Sequence, residues 1–253
     1  MIDLHTHLLP GVDDGAETPE AAVAVLAKWQ ADGVTAVCCT PHLRASEAAE
    51  APAQELDELL EELRAQAPPA PRLTRGFEIM LDVPAPELAD RRLALNGSRY
   101  VLVEFGRLVP AEASVEALQR LVGQGVVPVV AHPERYTVCS LPLARQWIEA
   151  GALLQVDATT LLAETKRGER ARGLVEAGCA AIIASDNHGD GRGLAVAVEW
   201  LERHGGREQA RFLAWDNPAA ILADAATAPV PPMRVRRSWY SVLKSFVTGG
   251  AEA

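Results

Sequence analysis

Two histidines one residue apart, His5 and His7, stand at the end of the first apolar run, and Asp186 and His188 repeat that spacing at the end of the last. Side chains of an extended segment alternate with period two, so each pair turns two donors to one side and could chelate a cation. Between these pairs, His42 follows the second apolar run, Glu78 lies in the third, Glu104 closes the fourth and His132 the fifth. Glu78 and Glu104 sit among Phe77, Ile79, Val103 and Phe105, surroundings in which a carboxylate is costly unless it is paired or bound to metal. Imidazole and carboxylate donors without thiolate suit Mn²⁺, Fe²⁺ or Zn²⁺, and carboxylates can bridge ions into a multinuclear centre. Such centres hydrolyse phosphate esters, one ion lowering the pKa of bound water while its neighbours hold the phosphoryl oxygens. A single histidine beside a strand is ordinarily a hydrogen-bonded structural residue. Here five of the six histidines fall at strand ends, and His204, before Gly205 and Gly206, reads as a helix C-terminal charge.

The elements that must position these donors alternate along the chain. Strands are expected at 1–4, 34–39, 73–80, 100–105, 126–131, 152–156 and 180–184, and helices at 19–31, 53–65, 114–123, 143–149, 167–176 and 194–204. Repeated β/α units build a parallel sheet or barrel, whose C-terminal strand ends converge on one face. The punctuation agrees: Thr18 can cap a helix that has Pro19 at its first position, and Gly33 stands just past its end. One α/β domain is expected over 1–228. The remaining 229–253 differs in composition, with Arg234, Arg236, Arg237 and Lys244 interleaved with Trp239, Tyr240, Leu243 and Phe246. A packed terminal helix is the first reading of that stretch; peripheral docking on an anionic membrane surface or an acidic partner is the second.

Composition narrows the function classes. With 34 acidic against 24 basic residues the net charge is −10, which argues against a nucleic-acid-binding surface and leaves bound cations to supply any field for an anionic substrate. Cys38, Cys39, Cys139 and Cys179 have no C-x-x-C spacing, so neither a disulfide framework nor a zinc ribbon is indicated. The N-terminus lacks a signal-peptide pattern and no uncharged apolar stretch reaches membrane-spanning length, so a reducing cytoplasm is the expected compartment.

Four motifs carry a resemblance. The opening His5-Thr6-His7-Leu8-Leu9-Pro10-Gly11-Val12-Asp13-Asp14-Gly15, then Thr40-Pro41-His42, Ala131-His132-Pro133-Glu134-Arg135-Tyr136 and Ser185-Asp186-Asn187-His188, resemble the bacterial metal-dependent protein tyrosine phosphatases of the polymerase-and-histidinol-phosphatase superfamily, which act in capsule and exopolysaccharide synthesis. The resemblance runs from Met1 to about Leu222. It implies a distorted, TIM-like (β/α)7 barrel with three divalent ions, usually manganese, bound by His5, His7, Asp14, His42, Glu78, Glu104, His132, Asp186 and His188, with Glu78 bridging two of them. Asp14 enters only by this route, and Asp13 reads as a turn carboxylate or a support for the ligands. The resemblance also implies two phosphate-holding arginines, Arg135 in the His-Pro-Glu-Arg motif and Arg192, although the loop before Arg192 is about one residue shorter than the family pattern. The implied reaction is hydrolysis of protein phosphotyrosine by metal-activated hydroxide, and the implied partner is the tyrosine-rich tail of a membrane-associated kinase of polysaccharide synthesis.

Other readings compete. Cys38 to Arg44 and Cys139 to Arg145 satisfy the C-x5-R spacing of thiol phosphatases, but both contain proline and neither contains the glycine that a phosphate-cradling loop of free N–H groups needs. A histidinol-phosphate phosphatase or another small-molecule phosphoesterase could use the same ligands. An amidohydrolase-type barrel also opens with His-x-His, but two acidic ligands in mid-chain favour a phosphoesterase. A non-enzymatic scaffold on a decayed barrel would be expected to have lost donors, and all are present.

Overall fold

A computed structural model describes residues 1–233. The basic, aromatic stretch expected to form a terminal helix or a membrane contact lies, from residue 234 on, outside the described residues.

Among the described residues nine strands, all in parallel pairs, form a three-stranded and a six-stranded sheet that run on into each other. They are β1 (Ile2–Thr6), β2 (Ala36–Cys39), β3 (His42–Arg44), β4 (Arg72–Arg75), β5 (Glu78–Met80), β6 (Tyr100–Glu104), β7 (Val127–Ala131), β8 (Leu153–Asp157) and β9 (Ile182–Ala184). The seven expected strands become nine because two are bent. The expected strand 73–80 is interrupted at Gly76 and Phe77, and the second apolar run continues past Thr40 and Pro41 as the short β3. Gly76 N–H donates to Cys39 O (2.9 Å) and Glu78 N–H to Pro41 O (3.1 Å), so the two bends stay paired and β2/β3 and β4/β5 each act as one stave. The order is then β1, β2/β3, β4/β5, β6, β7, β8, β9. A parallel bridge between Thr6 and Asn187 brings the last stave back to the first, completing a distorted seven-stave (β/α) barrel.

Helices α1 (Pro19–Ala31), α2 (Ala53–Gln66), α3 (Ala111–Gly123), α4 (Leu141–Glu149), α5 (Ala158–Leu162), α6 (Lys166–Glu176), α7 (Ala195–Arg203), α8 (Arg207–Arg211) and α9 (Asn217–Leu222) follow the strands. Thr18 caps α1 by accepting from Ala21 N–H, and Gly33 leaves it at φ +83°, the left-handed backbone that glycine adopts without a Cβ penalty. The helix buries Ala22, Val25, Leu26 and Trp29. Strands of a parallel barrel are covered on both faces, and alternation divides their residues accordingly. Val37, Val101, Val130, Leu154 and Ile183 pack outward in one cluster with the helices, while Leu4, Cys38, Leu102, Val129, Ala131 and Ile182 fill the interior. By the same alternation Glu78, Glu104, Gln155 and Asp157 share the inward face of their strands. Val230 and Met233 pack on this body at its far end, Met233 N–H donating to Glu176 O (3.0 Å). No helix among the described residues is long and apolar enough to cross a membrane.

Candidate metal centre

All nine expected donors meet at the C-terminal end of the barrel. His5 comes from β1 and His7 follows it, His42 opens β3, Glu78 opens β5, Glu104 closes β6, His132 follows β7, and Asp186 and His188 follow β9. Asp14 reaches the same place from the loop after β1. Four sets have one donor atom per residue within 4.8 Å of one another: His7, Asp14, His42 and His188; His5, Glu78 and His132; His5, His7 and Asp186; His42, Glu78 and Glu104. Their union is the nine residues expected, with none added among the described residues.

Glu78 is the hub. It is buried, and register places it beside His42. Oε1 lies 2.8 Å from His132 Nε2, while Oε2 lies 3.0 Å from His42 Nδ1, 3.2 Å from His5 Nε2 and 3.4 Å from His7 Nε2. Asp186 Oδ1 is 3.3 Å from His5 Nε2 and 3.4 Å from His7 Nε2, and Asp14 Oδ1 is 3.4 Å from Nε2 of both His42 and His188. Glu104 flanks the hub at 3.8 Å from His132 Nε2 and 3.9 Å from His42 Nδ1.

Neighbouring groups fix which nitrogens face inward. His5 Nδ1–H donates to Gln155 Oε1 (2.9 Å), His7 Nδ1–H to Asp13 Oδ2 (2.7 Å) and His188 Nδ1–H to Asp186 O (2.9 Å). The Nε2 lone pairs are thereby aimed into the pocket, the arrangement that metal-ligating imidazoles need. Asp13, expected as a turn carboxylate or a support, is both: it also accepts from Gly15 N–H (3.0 Å) and His42 N–H (3.2 Å). The loop folds back so closely that a Cβ on Gly15 would lie 2.0 Å from His7 O. His132 and Asp186 adopt φ of +33° and +50°, backbone strain of the kind the surrounding structure must hold in place.

The electrostatics call for added positive charge. Burial by itself would lower His5, yet Glu78 and Asp186 lift it to about 9; against the same burial, Asp13, Asp186 and Glu78 lift His7 to about 11. Glu104 is pushed up to about 7, first by burial and then by the charge of Glu78. Nitrogen and oxygen donors, lone pairs turned inward and a field that draws cations together fit a cluster of divalent ions.

At the rim, both expected arginines turn to one carboxylate. Arg135 Nη2 donates to Asp186 Oδ2 and to Asp157 Oδ2 (2.6 Å for the latter), while Arg192 Nη1 lies 3.7 Å from Asp186 Oδ2 and its Nε donates to Asp190 Oδ2 (2.8 Å). Despite the shorter loop, Arg192 therefore reaches the site. The thiols do not: burial pushes Cys38 and Cys139 each to about 12, and Cys38 belongs to the barrel interior.

A family model described as capsular polysaccharide synthesis, CpsB/CapC, matches residues 1–223. The chain belongs to the CpsB/CapC family. Tyrosine-protein phosphatase CpsB of Streptococcus pneumoniae is 29% identical over 241 residues, 88% of this chain and 99% of the relative. Tyrosine-protein phosphatase YwqE of Bacillus subtilis is 29% identical over 249 residues, 94% and 97% of the two chains. Among solved structures, a chain from the work on YwqE of B. subtilis and CpsB of S. pneumoniae, called unique metal-dependent tyrosine phosphatases, superposes with a TM-score of 0.75 at 26% identity, covering 94% of this chain and 100% of the other. The segment matched to the CpsB/CapC family contains all nine donors and both arginines.

Three buried groups of this CpsB/CapC site lie outside the expected donors and arginines: Gln155, Asp157, and Glu134 of the His-Pro-Glu-Arg motif. Glu134 Oε1 accepts from Asp157 N–H (3.0 Å), and burial, then the charge of Asp157, raises its carboxyl to about 8. For Gln155 and Asp157 the available signal was a polar residue on the inward face at the end of an otherwise apolar strand; Glu134 lies in the turn after β7 and carries no such signal.

Proposed function

We propose that the chain hydrolyses protein phosphotyrosine, using three divalent ions, Mn²⁺ in the first instance and Fe or Zn as alternatives. The observation that carries this reading is the convergence of nine donors about Glu78 directly beside two arginines that share Asp186. The chemistry such ions supply is ionisation of water near neutral pH and neutralisation of charge on the phosphoryl oxygens. The residues of the chain do the rest. Arg135 and Arg192 offer planar N–H donors to the phosphate oxygens, and Asp186 keeps both guanidinium groups at the mouth of the pocket. Buried, protonated thiols leave no cysteine nucleophile, so no phosphoenzyme is required.

A groove of about 540 Å³ runs from His42 and Glu104 past Leu43 and Met80 to Arg44, room for residues flanking a phosphotyrosine. The substrate proposed is the tyrosine-rich tail of a membrane-associated kinase of capsule or exopolysaccharide synthesis, acted on in the cytoplasm. The test is a substrate panel on the Mn²⁺-loaded protein: phosphotyrosine peptides should be turned over with kcat/KM well above that for histidinol phosphate or phosphodiesters. Preference for histidinol phosphate would overturn the substrate, and inertness toward all three would overturn the activity.

A further inference from the structure

Six of the seven staves deliver a donor to the centre, and β8 delivers none. Its two inward residues at the site end are polar and buried nonetheless. Gln155 bonds His5, and Asp157, 2% exposed in its side chain, bonds Arg135. The two oxygens of Asp157 are divided between tasks. Oδ1 caps α5, accepting from Thr159 N–H (2.7 Å), Thr159 Oγ1–H (2.7 Å) and Thr160 N–H (3.1 Å), whereas Oδ2 accepts from Arg135 Nη2 (2.6 Å). The adjoining peptide is itself latched, Asp157 N–H donating to Glu134 Oε1, so the residue is fixed at its backbone as well as at its carboxylate.

We propose that Asp157 is a positioning residue for phosphate binding, holding the Arg135 guanidinium at the mouth of the metal pocket. This rests on the reading of Arg135 as a phosphate ligand. Asp186, one of the nine proposed ligands, shares the same nitrogen of Arg135, so without Asp157 the guanidinium keeps one anchor, which metal ligation would also engage. A buried carboxylate fixed by three N–H or O–H donors cannot follow the arginine if it swings away. The site therefore presents a preorganised fork rather than a flexible cation, which lowers the ordering cost of capturing an anion.

Asp157→Asn separates the two tasks. Asparagine caps helices about as well as aspartate, so its amide oxygen retains the Thr159 and Thr160 bonds while its NH₂ faces Arg135 as a donor against a donor. In the full chain loaded with Mn²⁺, inorganic phosphate affinity measured by titration calorimetry should fall about tenfold, and KM for a phosphotyrosine peptide should rise more than kcat falls. Bound metal and Tm should stay near wild type. In an Arg135→Ala background the same substitution should add nothing. Thr159→Ala, which weakens the cap and leaves Oδ2 in place, should leave phosphate affinity unchanged. Wild-type phosphate affinity in Asp157→Asn, or an equal loss in Thr159→Ala, overturns the proposal. If Arg135→Ala binds phosphate as tightly as wild type, it is the assignment of Arg135 that fails instead.

Discussion

The Nε2 atoms of His5 and His7 lie 3.3 Å apart, with both opposite Nδ1–H groups already committed to Gln155 and Asp13. Set against Glu78 and Asp186, both imidazoles hold a second proton strongly, and a divalent ion bound there would take the place of those protons. Dialysis against a chelator should therefore abolish phosphatase activity, and Mn²⁺ or another divalent ion should restore it. The metal-free protein should also melt at lower temperature, because ligand at a hundred times its dissociation constant contributes about 2.7 kcal/mol to the folded state. Full activity in protein shown by elemental analysis to be metal-free would remove the mechanism.

The two arginines should differ in weight. Arg135 is bonded to both Asp157 and Asp186, whereas Arg192 spends its Nε on Asp190 and approaches Asp186 only to 3.7 Å. Arg135→Ala should lower kcat/KM on the order of a hundredfold or more with metal retained, the scale seen when one charge-stabilising donor is removed. Arg192→Ala should cost roughly tenfold. The reverse ranking in steady-state kinetics would show that Arg192 is the principal phosphate ligand.

Both C-x5-R matches should prove inert. With thiols at about 12, neither cysteine is a thiolate at neutral pH, and thiol reagents should modify the native protein slowly below about pH 10. Cys38→Ser and Cys139→Ser should keep activity within about twofold. Abolished turnover in a folded, metal-loaded serine variant would reinstate a thiol nucleophile.

Gly15 should tolerate no side chain. A Cβ there would meet the His7 carbonyl at 2.0 Å, so the backbone must shift, at a cost of about 1–3 kcal/mol. Gly15→Ala should lower Tm or, if the loop moves, displace Asp13 and Asp14 and reduce bound metal. A variant unchanged in both calorimetry and metal content would show that the loop is not held against His7.

Residues whose chemistry clashes with their surroundings were readable from the chain. Histidines ending apolar runs, and Glu78 and Glu104 among aliphatic and aromatic neighbours, pointed to a convergent site because burial of such groups requires a compensating partner. Loop residues were not readable in that way: nothing in strand periodicity distinguishes Asp14 from Asp13, and family resemblance alone suggested it. The bend at Gly76 and Phe77 was hidden because strand-favouring residues, Thr74 on one side and Phe77 and Ile79 on the other, flank it without a turn signal beyond the single glycine. The short helices α5, α8 and α9 were missed because elements of five or six residues show too little periodicity to register. Asp157 escaped notice because it falls one residue past the expected strand 152–156, where an aspartate looks like an ordinary helix cap, and it is that as well.

The bridge between Thr6 and Asn187 joins the start of the barrel to its end, and proposed ligands stand at both places. On a ribosome His5 and His7 emerge about 180 residues before Asp186 and His188, so no partial chain can present the complete set of donors. If these residues hold the metal, its capture is tied to completion of synthesis, and a prematurely terminated polypeptide would neither assemble the site nor act on a phosphoprotein.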